Sequence, residues 1–282
     1  MKVFHAQSQL KQHLQPFIQA KQTIGFVPTM GAIHKGHLSL LEQAMKENDV
    51  VVMSIFVNPT QFNNSEDLAK YPRTLEKDLG LIEALSDKII VYAPTVDDIY
   101  EGNTVAQPFD YDGLDNEMEG SNRPGHFNGV GTIVKKLFEI TQPTKAYFGE
   151  KDFQQLQIIR KMVEKNNMNI DVVGCPIFRE ANGLAMSSRN ERLSEQAKDK
   201  AALIYKTLKA AKTVFSEKDV KDSVNFVVDA FENQADFKLE YFIIADEASL
   251  KTATVKETDK NYRAFIVVHI EGVRLIDNIT LN

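Results

Sequence analysis

Two of the six histidines in this 282-residue chain stand three apart around a glycine, in the order His34, Lys35, Gly36, His37. The surrounding stretch, FVPTMGAIHKGHLSLLEQA, runs from a short apolar segment into a helical pattern. A helix N-terminus carries unpaired backbone N–H groups and partial positive charge, so it attracts phosphate. Gly31 and Gly36 let the backbone come close to a ligand. Imidazoles at two loop positions add N–H donors that are neutral or charged near pH 7. Such a loop can hold a triphosphate and stabilise charge developing on a departing pyrophosphate. A chain of this composition is expected to contain His-x-Gly-His on the order of 0.006 times by chance, which favours a functional loop over two stray surface histidines.

A second group of donors lies in MSSRN, where Ser187 and Ser188 offer hydroxyls and Arg189 a guanidinium fork suited to phosphate oxygens. The competing nucleotide signatures are weaker. No G-x-x-x-x-G-K-[ST] occurs, and NGVGTIV holds Gly129 and Gly131 but not the third glycine of a dinucleotide fingerprint. The latter reads as a helix start.

The elements that must position these groups follow from periodicity. TIGFVPT, DVVVMSIFVN, KIIVYAP, KAYFGE and NIDVVGCPIF read as strands, and helical spacing predicts helices over 38–47, 74–85, 129–140 and 153–165. Apolar strands alternating with amphipathic helices predict an α/β fold, a Rossmann-like parallel sheet covered on both faces. Ligands then bind at the carboxyl ends of the strands, where VPTMG, FVNPTQF and YFGEKD lie. Residues 99–128 are polar and too long for an ordinary connection, so they are expected to build part of a site or a lid. After about residue 178 the pattern changes to two helices, 194–215 and 220–233, and three alternating segments, the last two turning near Glu271 and Gly272. The expected division is a Rossmann-like domain at 1–177 and a smaller C-terminal α+β domain at 178–282 that closes over the site.

Bulk properties narrow the class. Hydrophobic residues make up 43% and charged residues 26%, with a net charge of −6 and no long basic run, so binding to a nucleic-acid backbone is not expected. The longest apolar runs are too short to cross a bilayer, and the N-terminus shows no signal-peptide block. A single cysteine, Cys175, excludes an intramolecular disulfide and reads as a small buried thiol. A cytoplasmic protein with no membrane or nucleic-acid partner is the expectation.

His-x-Gly-His followed by a Met-Ser-Ser-Arg loop resembles the nucleotidyl-transfer superfamily that includes the class I aminoacyl-tRNA synthetases. The likeness sharpens over PTMGAIHKGHLSL, SIFVNPTQF, YPRTLEKDL, RPGHFNGV, FGEKDFQQL and MSSRN, in that order and spacing. Together these six blocks resemble the pantoate–β-alanine ligase family over essentially the whole chain. The resemblance implies ATP-dependent joining of pantoate to β-alanine through a pantoyl-adenylate, in a homodimer, with Mg²⁺. It implies ATP contacts at Met30, Gly31, His34, Gly36, His37, Gly149, Lys151, Asp152, Phe178, Met186, Ser187, Ser188 and Arg189. His37, His34 and Lys151 form its catalytic set. Gln61, Gln155, Thr29 and Asn58 would hold pantoate, with Gln61 also beside β-alanine. Asp78 matches a position associated with Mg²⁺, although its neighbour here is Lys77 where some relatives carry a second acid.

The residue types suit that chemistry in their own right. Neutral glutamines can hydrogen-bond a hydroxy acid without neutralising the carboxylate that must attack phosphorus. Two other classes compete: a nucleotidyltransferase that leaves a nucleoside monophosphate on its product, and an RNA-binding relative of the synthetases. The first needs a second phosphate pocket, against which the glutamines argue. The second needs a basic face, against which the acidic balance argues.

Overall fold

The computed structural model describes residues 1–282, the side chain of residue 67 excepted. In chain order the main elements are β1 (Lys2–Phe4), α1 (Gln7–Gln19), β2 (Ile24–Thr29), α2 (Lys35–Glu47), β3 (Val50–Ile55), α3 (Ser65–Lys70) and α4 (Leu75–Leu85). There follow β4 (Ile90–Tyr92), α5 (Val96–Tyr100), α6 (Met118–Asn122), α7 (His126–Thr141), β5 (Lys145–Gly149), α8 (Phe153–Lys165) and β6 (Asp171–Cys175). The last are α9 (Glu195–Glu217), α10 (Val220–Glu232), β7 (Phe237–Asp246), β8 (Tyr262–Ile270) and β9 (Val273–Thr280). They form two compact units, one of Met1–Glu150 with Gln154–Pro176, the other of Lys151–Phe153 with Ile177–Asn282.

The first unit is built on a six-stranded sheet in the order β1-β4-β3-β2-β5-β6, with every pairing parallel. Both faces are covered, so its central strands are apolar throughout: β3, VVVMSI, is buried along nearly its whole length. On one face Leu41 and Ala44 of α2 and Ile82 of α4 pack on Val27, Met53, Val91 and Tyr147. On the other, Phe138 of α7 meets Phe26 of β2 edge-on at 6.1 Å. Strand order runs outward from β2 in one direction through β3 and β4, and from β5 in the other through β6. The switch point therefore lies between β2 and β5, where the connections at the strand ends part and leave a crevice.

The sequence shows no element before residue 23, yet β1 and α1 are there. Helix α1 reads QSQLKQHLQPFIQ, with Pro16 inside it and an N-cap, Ala6, that makes no side-chain bond. Its start is held from 91 residues away: the Asp98 carboxylate accepts the Gln7 N–H at 3.0 and 2.9 Å. Leu10 and Leu14 then bury completely.

In the second unit, α9 and α10 pack on an antiparallel sheet, β7-β8-β9. Ile204, Leu208 and Ala211 of α9 and Val227 and Phe231 of α10 share a core with Ile244, Ile266, Val268 and Leu275. The β8–β9 hairpin turns at Glu271 (φ 49°) and Gly272 (φ 73°), both left-handed, as a two-residue turn matched to strand twist requires. The parallel and α+β architectures expected from periodicity are both present.

Candidate active site

The loop after β2 sits at the switch point. Thr29 ends the strand and its hydroxyl donates to the Ser54 carbonyl at 2.8 Å, tying the ends of β2 and β3 together. Gly31 (φ 84°) and Ala32 (φ 51°) then turn the chain through two successive left-handed conformations. His34 is the N-cap of α2, and its Nδ1 accepts the Gly36 N–H at 3.1 Å. His37 reaches back, its Nδ1 accepting the His34 N–H at 3.4 Å. The two imidazoles stack with centroids 4.0 Å apart and planes 19° from parallel. This is a capping box made from histidines in place of the usual serine and glutamate. Because each Nδ1 accepts a backbone N–H, the ring proton of each neutral imidazole sits on Nε2.

Beneath the loop lies Asp78 of α4, 1% exposed. One oxygen accepts the Ile33 N–H at 2.8 Å and the Thr74 hydroxyl at 3.2 Å, and the other accepts the Ala32 N–H at 3.0 Å. Where Mg²⁺ was expected on Asp78, the carboxylate is instead turned to the loop backbone. Lys77 is exposed, and among the described residues no three His, Cys, Asp or Glu side chains gather as a metal-binding group. A protein-held Mg²⁺ does not fit these residues, since Mg²⁺ demands octahedral oxygen ligation.

Gln61 ends the turn Pro59–Gln61 that follows β3. Its Oε1 accepts from Asn58 Nδ2 at 3.0 Å, and its Nε2 donates to the Met30 sulfur at 3.1 Å. A thioether is a weak acceptor, so a carboxylate or hydroxyl can displace it. Asn58, expected on pantoate, is 1% exposed and fully engaged in the fold. Its Oδ1 accepts from the Tyr100 and Thr60 hydroxyls at 2.6 and 3.1 Å, and its Nδ2 also donates to the Gly129 carbonyl at 3.2 Å. No hydrogen-bonding capacity remains for a substrate. What Asn58 does is fix which end of the Gln61 amide faces Met30.

Two residues that the sequence left without a role also act on Gln61. His126 Nδ1 lies 2.8 Å from the Gln61 carbonyl, so it carries the proton and donates. Its Nε2 then accepts from Arg123 Nη1 at 3.3 Å, while Arg123 Nη2 lies 3.5 Å from the same carbonyl. Their block, RPGHFNGV, was the available signal. Gly129 lets α7 approach: a Cβ there would stand 2.3 Å from the Thr60 carbonyl oxygen. Gly149 ends β5 on the other side of the switch point, and Gln155, half-buried, lies in the first turn of α8.

The remaining candidates belong to the second unit. Lys151 follows β5 in the turn Glu150–Asp152, its ammonium 3.8 Å from the Asp152 carboxylate. Its carbonyl accepts from Asn278 Nδ2 at 2.9 Å. Asn278 Oδ1 in turn accepts from Arg263 Nη1 at 2.7 Å, and that guanidinium lies over the Phe153 ring at 3.9 Å. Beside it Arg179 forks onto Asp277 at 2.7 and 3.0 Å and stacks on Tyr205 at 3.6 Å. The Met186 N–H donates to the Phe178 carbonyl at 3.0 Å, placing those two residues at the base of one loop, with the Phe178 side chain exposed. Ser187 caps the turn Ser188–Arg192 by accepting the Arg189 N–H at 3.3 Å. Lys151, Ser187, Arg189, Asn190 and Asp277 line one small pocket. It gathers three of the expected phosphate contacts.

A parallel sheet with a switch point and a histidine-capped helix at its edge defines an α/β protein of the nucleotide-binding kind. Residues 2–280 match the family described as pantoate-beta-alanine ligase. A pantothenate synthetase from Flavobacterium psychrophilum is 60% identical over 281 residues, covering all of both chains. The crystal structure of pantothenate synthetase from Thermus thermophilus is 37% identical with a TM-score of 0.89, covering 100% of this chain and 99% of that one. A pantoate-beta-alanine ligase from Francisella tularensis, solved with beta-gamma ATP and β-alanine, is 35% identical with a TM-score of 0.77, covering 100% and 98%. The chain belongs to the pantoate–β-alanine ligase family, whose members are AMP-forming acid–amino-acid ligases.

Proposed function

We propose that this chain condenses (R)-pantoate with β-alanine in two steps at the β2–β5 switch point. A pantoate carboxylate oxygen attacks the α-phosphorus of ATP, the bond to pyrophosphate breaks, and pantoyl-adenylate forms. The β-alanine amine then attacks the acyl carbon, AMP leaves with one former carboxylate oxygen, and the amine proton is released. The observation that carries this reading is the tied histidine pair. With both Nδ1 atoms engaged, His34 and His37 offer Nε2–H donors at a helix N-terminus, which suits charge growing on a leaving pyrophosphate.

The other roles follow from chemistry. Gly31, Gly36 and Gly149 leave room for the nucleotide, and Lys151, Ser187, Ser188 and Arg189 supply donors for its phosphates. Met30, Asp152, Phe178 and Met186 border it. Gln61 and Gln155 hold pantoate beside Thr29, and Gln61 borders β-alanine. Arg123, at the Gln61 carbonyl, is a cation suited to the β-alanine carboxylate. A Mg²⁺ ion accompanying ATP would be held by the nucleotide rather than by these side chains, and would supply neutralisation of phosphate charge. We further assign the enzyme to the cytoplasm and to a homodimer. No helix among the described residues is long and apolar enough to cross a membrane.

The test is product analysis with ATP, pantoate and β-alanine, omitting each in turn. AMP release and repeated turnover should need all three, whereas pyrophosphate should exchange into ATP with pantoate present and β-alanine omitted. Pantoate labelled with ¹⁸O in its carboxylate should pass one label to AMP. ADP as product, or label in inorganic phosphate, would refute the adenylate route.

A further inference from the structure

We propose that Asp78 is a positioning residue that holds the histidine loop in its active shape and binds no metal ion. The proposal rests on the reading of that loop as the ATP site. The carboxylate comes from α4, 45 residues along the chain from the loop it holds, and is buried. Successive N–H groups, those of Ala32 and Ile33, point at its two oxygens, and the Thr74 hydroxyl adds a third donor. Hydrogen bonds to a charged acceptor are the strong ones. They are needed here because Ala32 occupies a left-handed conformation that an alanine disfavours. Next to it, a Cβ on Gly31 would stand 3.1 Å from the same carboxylate, so loop and carboxylate are in close contact.

The consequence reaches the chemistry two residues later. Ile33 is followed directly by His34, the N-cap whose ring and backbone set the histidine pair. Releasing Ala32 and Ile33 lets the cap residue drift, and a displacement of about 1 Å at a reacting group can cost about 10² in rate. A metal role needs the opposite arrangement: lone pairs aimed at open space and further oxygen ligands around the ion. Asp78 has neither, because its oxygens face backbone N–H groups and Glu76 and Lys77 are exposed on α4.

The experiment uses the full chain carrying Asp78→Asn, which replaces one acceptor oxygen with a donor facing the loop. Pantoate-dependent pyrophosphate exchange is measured against ATP, pantoate and free Mg²⁺. The expected result is a maximal rate lower by about 10–10², with the KM for pantoate and the half-saturating free Mg²⁺ within about twofold of the parent. A general structural role would depress stability without this split between rate and pantoate binding. A half-saturating Mg²⁺ raised about tenfold, with the rate restored at high Mg²⁺, would make Asp78 a metal ligand and overturn the proposal. An unchanged rate would overturn it equally.

Should the variant fail to fold, the parent protein decides. The Ala32 and Ile33 amides should exchange slowly with deuterium, and Mn²⁺ added without nucleotide should not broaden their NMR signals. Fast exchange or selective broadening sinks the proposal. Full activity in His37→Ala would instead remove the loop from the site, a failure of the functional reading that these measurements on Asp78 distinguish.

Discussion

His34 and His37 stack face to face at 4.0 Å, and each gives its Nδ1 to a backbone N–H of the same helix start. Each ring is thereby locked as an Nε2–H tautomer, and a second proton on either ring would compete with the helix cap. With Nδ1 used in the cap, the Nε2 edge of each ring is the one that can donate.

His37→Ala should slow adenylate formation by about 10² or more, the range for losing a transition-state donor, with the fold intact. His34→Ala should do the same with a larger effect on ATP binding. Nitrogen-15 spectra should show the Nε2–H tautomer for both rings in the resting enzyme. Nδ1–H signals, or near-normal rates in both variants, would contradict the assignment.

Gln61→Ala and Gln155→Ala should weaken pantoate more than ATP, each lost buried hydrogen bond costing about 1–3 kcal/mol. Asn58→Ala should reproduce the Gln61 effect without touching substrate, because it frees the Gln61 amide to turn over. The check is the KM for pantoate in all three variants. An Asn58 variant that weakens ATP but not pantoate would mean the Asn58–Gln61 bond is incidental.

Asn278→Ala removes the donor that holds the Lys151 carbonyl and strips Arg263 Nη1 of an acceptor. The expected outcome is kcat/KM for ATP lower by about tenfold, with pantoate dependence little changed, as for a displaced phosphate-binding group. Steady-state kinetics with each substrate varied decides it. Equal losses for both substrates would reassign the residue to general stability.

Burial, followed by the charges of Glu47 and Glu150, pushes the Cys175 thiol from 9.0 up to about 11. The native protein should therefore resist thiol reagents at pH 8 and react only on unfolding. The sign for stability follows. Below pH 9 both states hold a neutral thiol and nothing is lost. Between pH 9 and about 11 the unfolded chain ionises first, so stability falls as pH rises. Chemical denaturation of Cys175→Ala across that range should lack this component.

The parallel sheet and the loop that carries the two histidines are legible because their signals are local. Strand β2 and helix α2 announce themselves by an apolar run and then a 3.6-residue period, with the histidines between. What was not legible depends on partners far along the chain. Asn58 looked like a ligand because nothing nearby reveals Tyr100, 42 residues on, at its Oδ1. Asp78 reads as a metal ligand for the same reason: its backbone donors lie 45 and 46 residues back. Helix α1 was missed because its polar composition and Pro16 hide a segment whose cap is Asp98.

The pairing of β1 with β4 has a consequence for the chain as it leaves the ribosome. Residues 2–4 lie against residues 90–92, and Gln7 waits for Asp98. Translation proceeds at about 5–20 residues per second, so the β1–α1 segment spends about 5–20 seconds without these native neighbours. During that interval Leu10 and Leu14, wholly buried in the finished protein, are open to chaperones and proteases. This segment docks only after some ninety further residues have followed it, so its vulnerability during synthesis is set by strand order rather than by the stability of the finished fold.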